Sequence, residues 1–358
     1  QSTYPEFETA LGSSMALQGA AGETIAARGK FNFGDRLSAG GFWLNSETAF
    51  ARPWLLHYLR TGDRRLLNTA ERAVRHTMDA DMDHVTGGQY VHNIHHTLGR
   101  RTHNSHNYSE ILTLYYMLTG DALALDFARR NAVACRAWVT SRHAKGRGHG
   151  WPAWHIAEMA DITREKVNID ASLAIATRFR SSIKTVAGKR TSLSDKGGLL
   201  YGGTNLNALL RIHRATGNAD ARSAFLDELD HTINFVRAKG GWSFGGRDLM
   251  MVEPMVYGWR LTGDPKYIRL GMEALLKGAA NSGGRDRDLA MGAPLLAAAA
   301  QLGMSQPVSL TAQKWGFKRK HTMYIMERDD APFKASYRRV AAGGKGSEWW
   351  FKLTTPDG

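Results

Sequence analysis

A histidine-rich segment is the part of this chain whose residue types are best suited to chemistry. Six of the 14 histidines fall between positions 84 and 108. Because the neutral and charged forms of histidine coexist near neutral pH, such a group suits proton transfer or metal binding. Asparagines and a tyrosine add hydrogen-bonding groups. The segment contains His84, His92, Asn93, His95, His96, His103, Asn104, His106, Asn107 and Tyr108.

A zinc site is the first alternative for this segment. His92 and His96 have the spacing that places two imidazoles on one face of a helix, but the local string HNIHH lacks the glutamate of the HExxH motif. Two glycines just upstream also favour a loop. We therefore expect proton transfer here, while a purely structural role, in which the histidines cap helices or bind loop backbone, stays open.

A second chemistry, glycoside hydrolysis, requires a pair of carboxylates. Asp35 and Glu47 lie near the two ends of a stretch that is rich in glycine and aromatic residues, FNFGDRLSAGGFWLN. In the competing interpretation Glu47 caps a helix and Asp35 forms an ion pair with Arg36. Both interpretations stay open at this point.

Tryptophans and arginines in the long segments between helices indicate a groove for an acidic sugar. Trp43, Trp151 and Trp242 each fall in a different segment predicted to be a loop, and aromatic rings in a cleft stack on sugar faces. Guanidinium groups bind carboxylates through two hydrogen bonds. The arginines of these segments are Arg36, Arg100, Arg101, Arg247, Arg285 and Arg287.

A recurring short phrase predicts the elements that position these residues. A glycine after an apolar helical run suits a helix end, and the following Asp or Asn caps the next helix by accepting its free amides. Each copy therefore predicts an antiparallel helical hairpin. The four copies are YLRTGD at 58–63, YMLTGD at 116–121, IHRATGN at 212–218 and WRLTGD at 259–264.

Six hairpins in series predict an all-α toroid, an (α/α)6 barrel, with an open solenoid as the alternative. The third hairpin is the weakest prediction because its sequence lacks the Thr-Gly-Asp turn. In a toroid all tight turns lie on one face and all long connections on the other, where sites are built. The long connections are predicted at 31–45, 84–108, 146–155, 196–207, 240–251 and 281–292.

Different patterns at the two ends predict three regions. Residues 1–30 have little periodicity and are predicted to be an entry segment, and residues 31–305 are predicted to form the catalytic toroid. From 306 to 358 alternating stretches such as FKASYRRV indicate the start of a β-rich C-terminal module, in which the pattern resembles a truncated β-sandwich.

Charge and composition limit the partners. The net charge of +14 and the pI near 9.9 favour an acidic polymer, but the basic residues are dispersed, which disfavours nucleic acid. No apolar run approaches the roughly 20 residues of a membrane span, so no membrane partner is expected. Cys135 is the only cysteine and is predicted to be a buried, inert thiol. We expect a segment of a longer protein that is secreted or periplasmic.

The motifs of the first third of the chain resemble those of a known family. The resemblance rests on a Gly-Asp after an aromatic residue, on Asn45-Ser46-Glu47, on the HNIHH string and on the Ser-His at 105–106. Over about 31–135 these motifs resemble the toroid of the exo-acting rhamnogalacturonan lyase family and its relatives. The similarity continues as the hairpin pattern to about residue 300.

The resemblance implies a polysaccharide lyase that cleaves a uronic-acid-containing glycan by β-elimination. In this hypothesis Arg36, Asn45 or Asn104 neutralises the substrate carboxylate. A base, His106 or His95, then removes the C5 proton, and an acid, Tyr108 or in reserve Tyr201, protonates the leaving oxygen. The remaining residues predicted to bind substrate are Trp43, His92, His103, Trp151, Trp242 and Arg247.

Two other functions stay open. A glycoside hydrolase would use Glu47 with Asp35, Glu110 or Glu253, and a non-catalytic protein would bind the glycan without turning it over. No cofactor is expected to be required, although a Ca²⁺ or Zn²⁺ ion could also neutralise the carboxylate. An acidic polysaccharide or oligosaccharide is the expected partner.

Overall fold

The fold is described from a computed structural model. It describes residues 49, 51–91, 102–140, 146–183, 185–186, 189–190, 198–280, 290–304, 334–342 and 346–354. The predictions for residues 1–48 therefore lie outside the described residues.

Eleven α-helices make up most of the described chain, in five hairpins followed by one further helix. Two 3₁₀ turns, Asn104–His106 and Gly245–Met251, and a π-helical turn, Thr77–Asp81, lie in the long connections. The helices are α1 Arg52–Thr61, α2 Arg64–His76, α3 Glu110–Thr119, α4 Ala122–Thr140, α5 Arg147–Thr163, α6 Lys166–Ser182, α7 Gly198–Thr216, α8 Ala219–Ala238, α9 Val252–Thr262, α10 Lys266–Ala280 and α11 Gly292–Gln301.

Each tight turn has the geometry that the sequence predicts. Gly62, Gly120, Gly217 and Gly263 end their helices in the left-handed conformation, with φ between 67° and 74°. The next residue then caps the following helix, as where Asp63 Oδ1 accepts the Arg65 amide at 2.9 Å. The hydroxyl of the threonine before each glycine makes two further hydrogen bonds, which the sequence analysis did not predict. It donates to a carbonyl oxygen four residues earlier and accepts the amide of the residue after the glycine. Thr61 Oγ1, for example, donates to His57 O at 2.9 Å and accepts the Asp63 amide at 3.2 Å.

The third hairpin, which was the weakest prediction, has the same turn geometry although its sequence lacks the Thr-Gly-Asp phrase. Arg164 occupies the glycine position with φ 57° and ψ 18°. Thr163 makes both threonine bonds, to Met159 O at 2.7 Å and from the Glu165 amide at 3.3 Å. The Arg164 side chain donates to Ala215 O at 2.8 Å, and this bond to the next hairpin helps to hold a conformation that arginine rarely adopts.

The first helix of each hairpin belongs to an inner layer. Helices α1, α3, α5, α7, α9 and α11 contact one another in series, and α5 and α7 have the most extensive contact. The second helices pack outside them, where α6 contacts α8. Trp154 of α5, Phe179 of α6 and Phe225 of α8 are the largest side chains that are almost completely buried. The arrangement confirms the (α/α)6 toroid.

The connections at the other end of the helices are partly helical, contrary to the prediction. The segment at 146–155 was predicted to be a loop, yet α5 begins at Arg147. The segment at 196–207 was also predicted to be a loop, yet α7 begins at Gly198. Between them a short antiparallel pair forms from β1 Thr185–Val186 and β2 Lys189–Arg190.

The C-terminal region contains an antiparallel hairpin, β3 Lys334–Ala342 with β4 Gly346–Thr354. It lies in the segment that was predicted to be β-rich, while the boundaries of the three predicted regions stay predictions. Cys135 is buried, and burial raises the pKa of its thiol, which agrees with an inert side chain. None of the described helices combines the length and the apolar character that a bilayer span requires.

Candidate functional site

The histidine-rich segment leaves α2 through the π-helical turn and is then held by isolated strand-like pairings. Met82 pairs with Gln89, and Tyr90 pairs with Thr102. Asn131 of α4 fixes the segment from outside, because its amide donates to Gly87 O at 2.7 Å and its Oδ1 accepts the Ser109 hydroxyl at 2.6 Å. The second pairing places Thr102 beside Tyr90, directly before His103 and His106 in the sequence.

The hydroxyl of Ser105 joins two histidine rings. Its Oγ lies 2.7 Å from Nδ1 of His103 and 3.0 Å from Nδ1 of His106. The Ser105 amide also donates to His103 Nδ1 at 3.1 Å, so that this nitrogen is an acceptor. The hydroxyl of Ser105 therefore donates its hydrogen bond to His103 Nδ1, and its oxygen accepts a hydrogen bond from the N–H at Nδ1 of His106.

This pattern assigns opposite tautomers to the two rings when both are neutral. His103 carries its proton on Nε2, where it can be donated, whereas His106 carries its proton on Nδ1 and has a lone pair on Nε2. The ring centroids lie 6.0 Å apart. The two rings thus differ in the nitrogen that carries the proton, and His106 is buried whereas His103 is half-buried. We call His103, Asn104, Ser105 and His106 the loop-end cluster.

His84 has a structural role in the same segment. Its Nε2 donates to Met78 O at 2.7 Å, and its ring packs edge-on against Phe127 with centroids 5.2 Å apart. The imidazole is thereby committed to the backbone of the π-helical turn. His84 thus differs from His103 and His106, although it is exposed and belongs to the same run of histidines.

Tyr108 is positioned differently from the acid that the sequence predicts. Its side chain is buried, and its hydroxyl donates to Ser105 O at 3.3 Å, which directs the proton to the backbone. Its ring packs edge-on against His106 and against Trp151, with centroids 6.4 Å and 5.0 Å apart. Tyr108 therefore has a structural role, because its ring packs against His106 and its hydroxyl binds the backbone of Ser105.

Glycines at the start of α5 bring this cluster close to α7. A Cβ on Gly148 would lie 3.1 Å from the Asn104 amide, and one on Gly146 would lie 2.6 Å from the ring of Tyr201. Asn104 and Tyr201, both half-buried, therefore pack against neighbouring glycines of one helix start. The glycine pattern of GRGHG thus serves close packing of helices rather than a flexible loop.

The predicted tryptophan platform is corrected by the structure. Trp151 lies in α5 and Trp242 follows α8, and both side chains are buried in the core, with 2% and 8% exposure. Because neither ring has a free face, neither can stack on a sugar as placed.

Arg247 is exposed in the 3₁₀ turn before α9. The next residue, Asp248, was missed: it is buried and accepts the Phe244 amide, and burial raises the pKa of its carboxyl to about 6.

A second polar group lies deeper among the inner helices. Arg211 of α7 donates to both carboxylate oxygens of Glu253 on α9, at 2.9 and 3.1 Å, and to Glu158 of α5 at 3.0 Å. Its guanidinium carbon lies 3.7 Å from the centroid of the Trp154 ring. Arg52 of α1 lies 3.8 Å from Glu253. We call Arg52, Trp154, Glu158, Arg211 and Glu253 the lumen cluster.

The ions of the lumen cluster compensate one another. Burial alone would raise the pKa of Glu253, but Arg211 and Arg52 beside it hold this pKa below its usual value. Burial would likewise lower the pKa of Arg211, and Glu253 and Glu158 raise it instead. Glu158 also accepts hydrogen bonds from Trp154 Nε1 at 2.7 Å and from Thr113 Oγ1 at 3.2 Å. Because its pKa is lowered, Glu253 is a poor proton donor near neutral pH.

A row of aromatic rings connects the two clusters. Tyr108 contacts Trp151, whose centroid lies 5.2 Å from that of Trp154. Trp154 in turn contacts Arg211. The chain thus has one continuous polar and aromatic path from the loop end of the toroid to the centre of its inner layer.

Several predicted site residues lie outside the described residues, so nothing in the structure tests their roles. Among the described histidines, cysteines and acids, no group of three or more could hold a metal ion. The residues outside the description are Asp35, Arg36, Trp43, Asn45, Glu47, His92, Asn93, His95, His96, Arg100, Arg101, Arg285 and Arg287.

Comparison with known proteins supports the fold class. No protein-family model matches the chain, and no curated protein matches it significantly. A solved sugar epimerase from a ruminal bacterium matches with a TM-score of 0.51 and 14% identity, over 67% of this chain and 78% of its own. Cellobiose 2-epimerase from Bacillus thermoamylovorans has a TM-score of 0.50 and 12% identity over the same shares.

A solved polysaccharide lyase matches with a TM-score of 0.53 and 10% identity, over 72% of this chain and 45% of that protein. The chain therefore has the fold of (α/α)6 toroid proteins. The structures that it resembles are named as carbohydrate-processing enzymes, two epimerases and a lyase.

Proposed function

We propose that this protein is a carbohydrate-active enzyme whose chemistry is proton transfer at the loop-end cluster. The observation that carries the proposal is the pair of histidines bridged by Ser105. Their hydrogen bonds leave a lone pair on His106 Nε2 and a proton on His103 Nε2. An adjacent base and acid are what the removal of a carbon-bound proton requires.

Within this class we propose β-elimination on a uronic-acid-containing glycan. His106 Nε2 takes the C5 proton, and the electron pair of that C–H bond forms the C4–C5 double bond. The bond from C4 to the glycosidic oxygen then breaks, and His103 Nε2 gives its proton to the leaving oxygen. In the same step the Ser105 hydroxyl passes its proton to His103 Nδ1 and takes the Nδ1 proton of His106, so that both rings end neutral with their tautomers exchanged. Exchange of protons with water restores the starting tautomers.

This assignment modifies the roles that the sequence suggested. His106 remains the base, and His103 replaces Tyr108 as acid because the Tyr108 hydroxyl is bound to Ser105 O. For the substrate carboxylate we propose Asn104, which is half-buried beside Gly148, and Arg36 or Asn45 is the alternative predicted from the sequence. Tyr201 is the reserve acid. The net charge of +14 favours an acidic substrate.

An epimerase is the second candidate, and the two epimerase structures of similar fold favour it. Epimerisation next to a carbonyl also begins with removal of a carbon-bound proton, and two opposed histidines could remove and return it. Glycoside hydrolysis is less well supported. Of the described carboxylates at the centre, Glu158 and Glu253 are both bound to Arg211, and neither is a free acid.

The test is an assay on a panel of acidic polysaccharides, with a neutral glucan as control. Elimination is expected to produce ultraviolet absorbance from the unsaturated uronyl product, and only on the acidic substrates. Chain cleavage without this absorbance would reject elimination in favour of hydrolysis. Turnover of a neutral disaccharide to its epimer, detected by NMR, would favour the epimerase. Binding without any product would favour a glycan-binding protein.

A further inference from the structure

A cavity between α7, α9 and α11 is not used by the proposed chemistry. It has a volume of about 210 Å³ and extends along one face of α9, where Glu253, Val256, Tyr257 and Arg260 follow each other at helical spacing. Leu210 and Arg214 of α7 and Met291 and Pro294 at the start of α11 complete its wall. Since Arg214 and Arg260 lie two residues before the turns at Thr216 and Thr262, they mark its outer end.

The charges of this cavity do not balance within its lining. Glu253 is the one acidic residue among the lining residues, and its charge is neutralised by Arg211 and Arg52. Arg214 has an exposed ion pair with Asp161, with the closest atoms 3.4 Å apart. Arg260 is exposed and has no ion-pair partner within the described part of the chain. The outer end therefore has an excess of positive charge.

Tyr257 lies inside the cavity, close to the same positive charges. Burial raises the pKa of its phenol, and Arg214, Arg260 and Arg222 oppose that rise, so that three guanidinium groups act on one hydroxyl. The hydroxyl also lies 2.7 Å from His213 Nδ1, which orients it. A polar group is thus fixed among apolar side chains, at a point where an anionic oxygen would be attracted.

We propose that this cavity is a second binding site, separate from the loop-end cluster, for a small organic anion of monosaccharide size or less. Arg214 and Arg260 hold the carboxylate or phosphate group, Tyr257 binds a neighbouring oxygen, and Leu210, Val256 and Met291 contact the carbon skeleton. The volume is below the roughly 300–1,000 Å³ of cavities for drug-sized ligands, which sets the limit on size. Guanidinium groups bind both kinds of anion.

The experiment is isothermal titration calorimetry of the whole chain with galacturonate, galactose 1-phosphate and neutral galactose. At least one anion should bind while galactose does not, and the two anions distinguish a carboxylate site from a phosphate site. Arg260→Met should weaken binding about tenfold or more, because it removes a charge-assisted contact. Arg260→Lys should retain part of the affinity. The matched control is Arg269→Met, an exposed arginine on α10 that should leave binding unchanged.

Two further outcomes separate this site from the proposed enzyme. His106→Gln should bind the anion as the wild type does, since the two sites use different residues; the cavity proposal therefore stands even if the protein has no lyase activity. Circular dichroism of Arg260→Met checks that it folds. Equal affinity of folded Arg260→Met and wild type, or no binding of either anion to wild type, would overturn the proposal.

Discussion

The loop-end cluster, in the connection before α3, and the lumen cluster, among the inner helices, are both polar groups, yet their side chains are bound in different ways. In the lumen cluster each ion is compensated, as where Arg211 binds Glu158 and Glu253 at 3 Å or less. In the loop-end cluster neutral rings share one hydroxyl, and the protons can be redistributed with little change in geometry. The difference supports a structural role for the lumen cluster and agrees with the proton transfer that we propose for the loop-end cluster.

The largest expected effect is on catalysis. His106→Gln should lower kcat by roughly 10²–10⁴-fold, the usual contribution of a general base, because it removes the lone pair that takes the proton. Turnover of the acidic glycan measures this. His84→Gln is the matched control from the same segment, because its imidazole only binds Met78 O. If the His106→Gln enzyme were fully active, His106 would not be the base, and the catalytic role given to the loop-end cluster would be contradicted.

The second effect is on stability. Arg211→Met should lower the free energy of unfolding by about 3–5 kcal/mol, because it leaves the half-buried Glu158 without its cation and Glu253 with Arg52 alone. Urea denaturation measures the loss, and adding Glu253→Gln to the same variant should recover part of it. Arg269→Met on the outer face should change stability by less than about 0.5 kcal/mol. If Arg211→Met folded with normal stability but had no activity, the lumen cluster would be the catalytic one.

The third effect tests the packing that brings α5 and α7 together under the loop-end cluster. A Cβ on Gly150 would lie 2.6 Å from Cγ2 of Thr204 and 2.9 Å from the Asn205 amide oxygen. Gly150→Ala should therefore destabilise the protein by about 1–3 kcal/mol. Adding Thr204→Ser removes the clashing methyl and keeps the hydroxyl that bonds Leu200 O, so thermal unfolding of the double variant should show partial rescue. No rescue would mean that this contact does not determine the spacing.

The smallest effect concerns pH. Burial raises the pKa of Asp248 from 3.8 to about 6, so the folded state holds this proton more tightly than the unfolded chain does. The stability from this group is present below about pH 4 and is lost as the pH rises through 6. Asp248→Asn should therefore gain stability relative to wild type between pH 4 and 7, by at most about 2 kcal/mol. Denaturation curves of wild type and Asp248→Asn at pH 4 and pH 7 measure this. The same difference in free energy of unfolding at both pH values would contradict the prediction.

Much of the fold could be predicted because its turns have a simple chemical signature. A left-handed glycine and a capping Asp recur at Gly62, Gly120 and Gly263, so the hairpins follow from local chemistry. The turn at Arg164 could not be predicted in this way, since arginine takes the glycine conformation with the help of a bond to Ala215 on another hairpin. Glycines at 146–150 were mistaken for a loop because close helix packing and chain flexibility use the same residue.

The site could be predicted only in part. The run of histidines identified His103 and His106, but the sequence cannot show that Ser105 bridges them. Arg52, Glu158 and Arg211 were missed because each lies alone in a separate helix, where a charged residue usually indicates a solvent-exposed face. Only the closure of the inner layer brings them together with Glu253.

The most direct test of the central claim is to observe the two imidazoles themselves. Nitrogen-15 NMR of histidine-labelled protein, recorded at a pH where the rings are neutral, distinguishes the two tautomers. Substitutions of His103 and His106 assign the signals. We expect His106 protonated on Nδ1 and His103 on Nε2, and Ser105→Ala should abolish the difference. Two rings with the same tautomer in the wild type would contradict the assignment of base and acid to this pair.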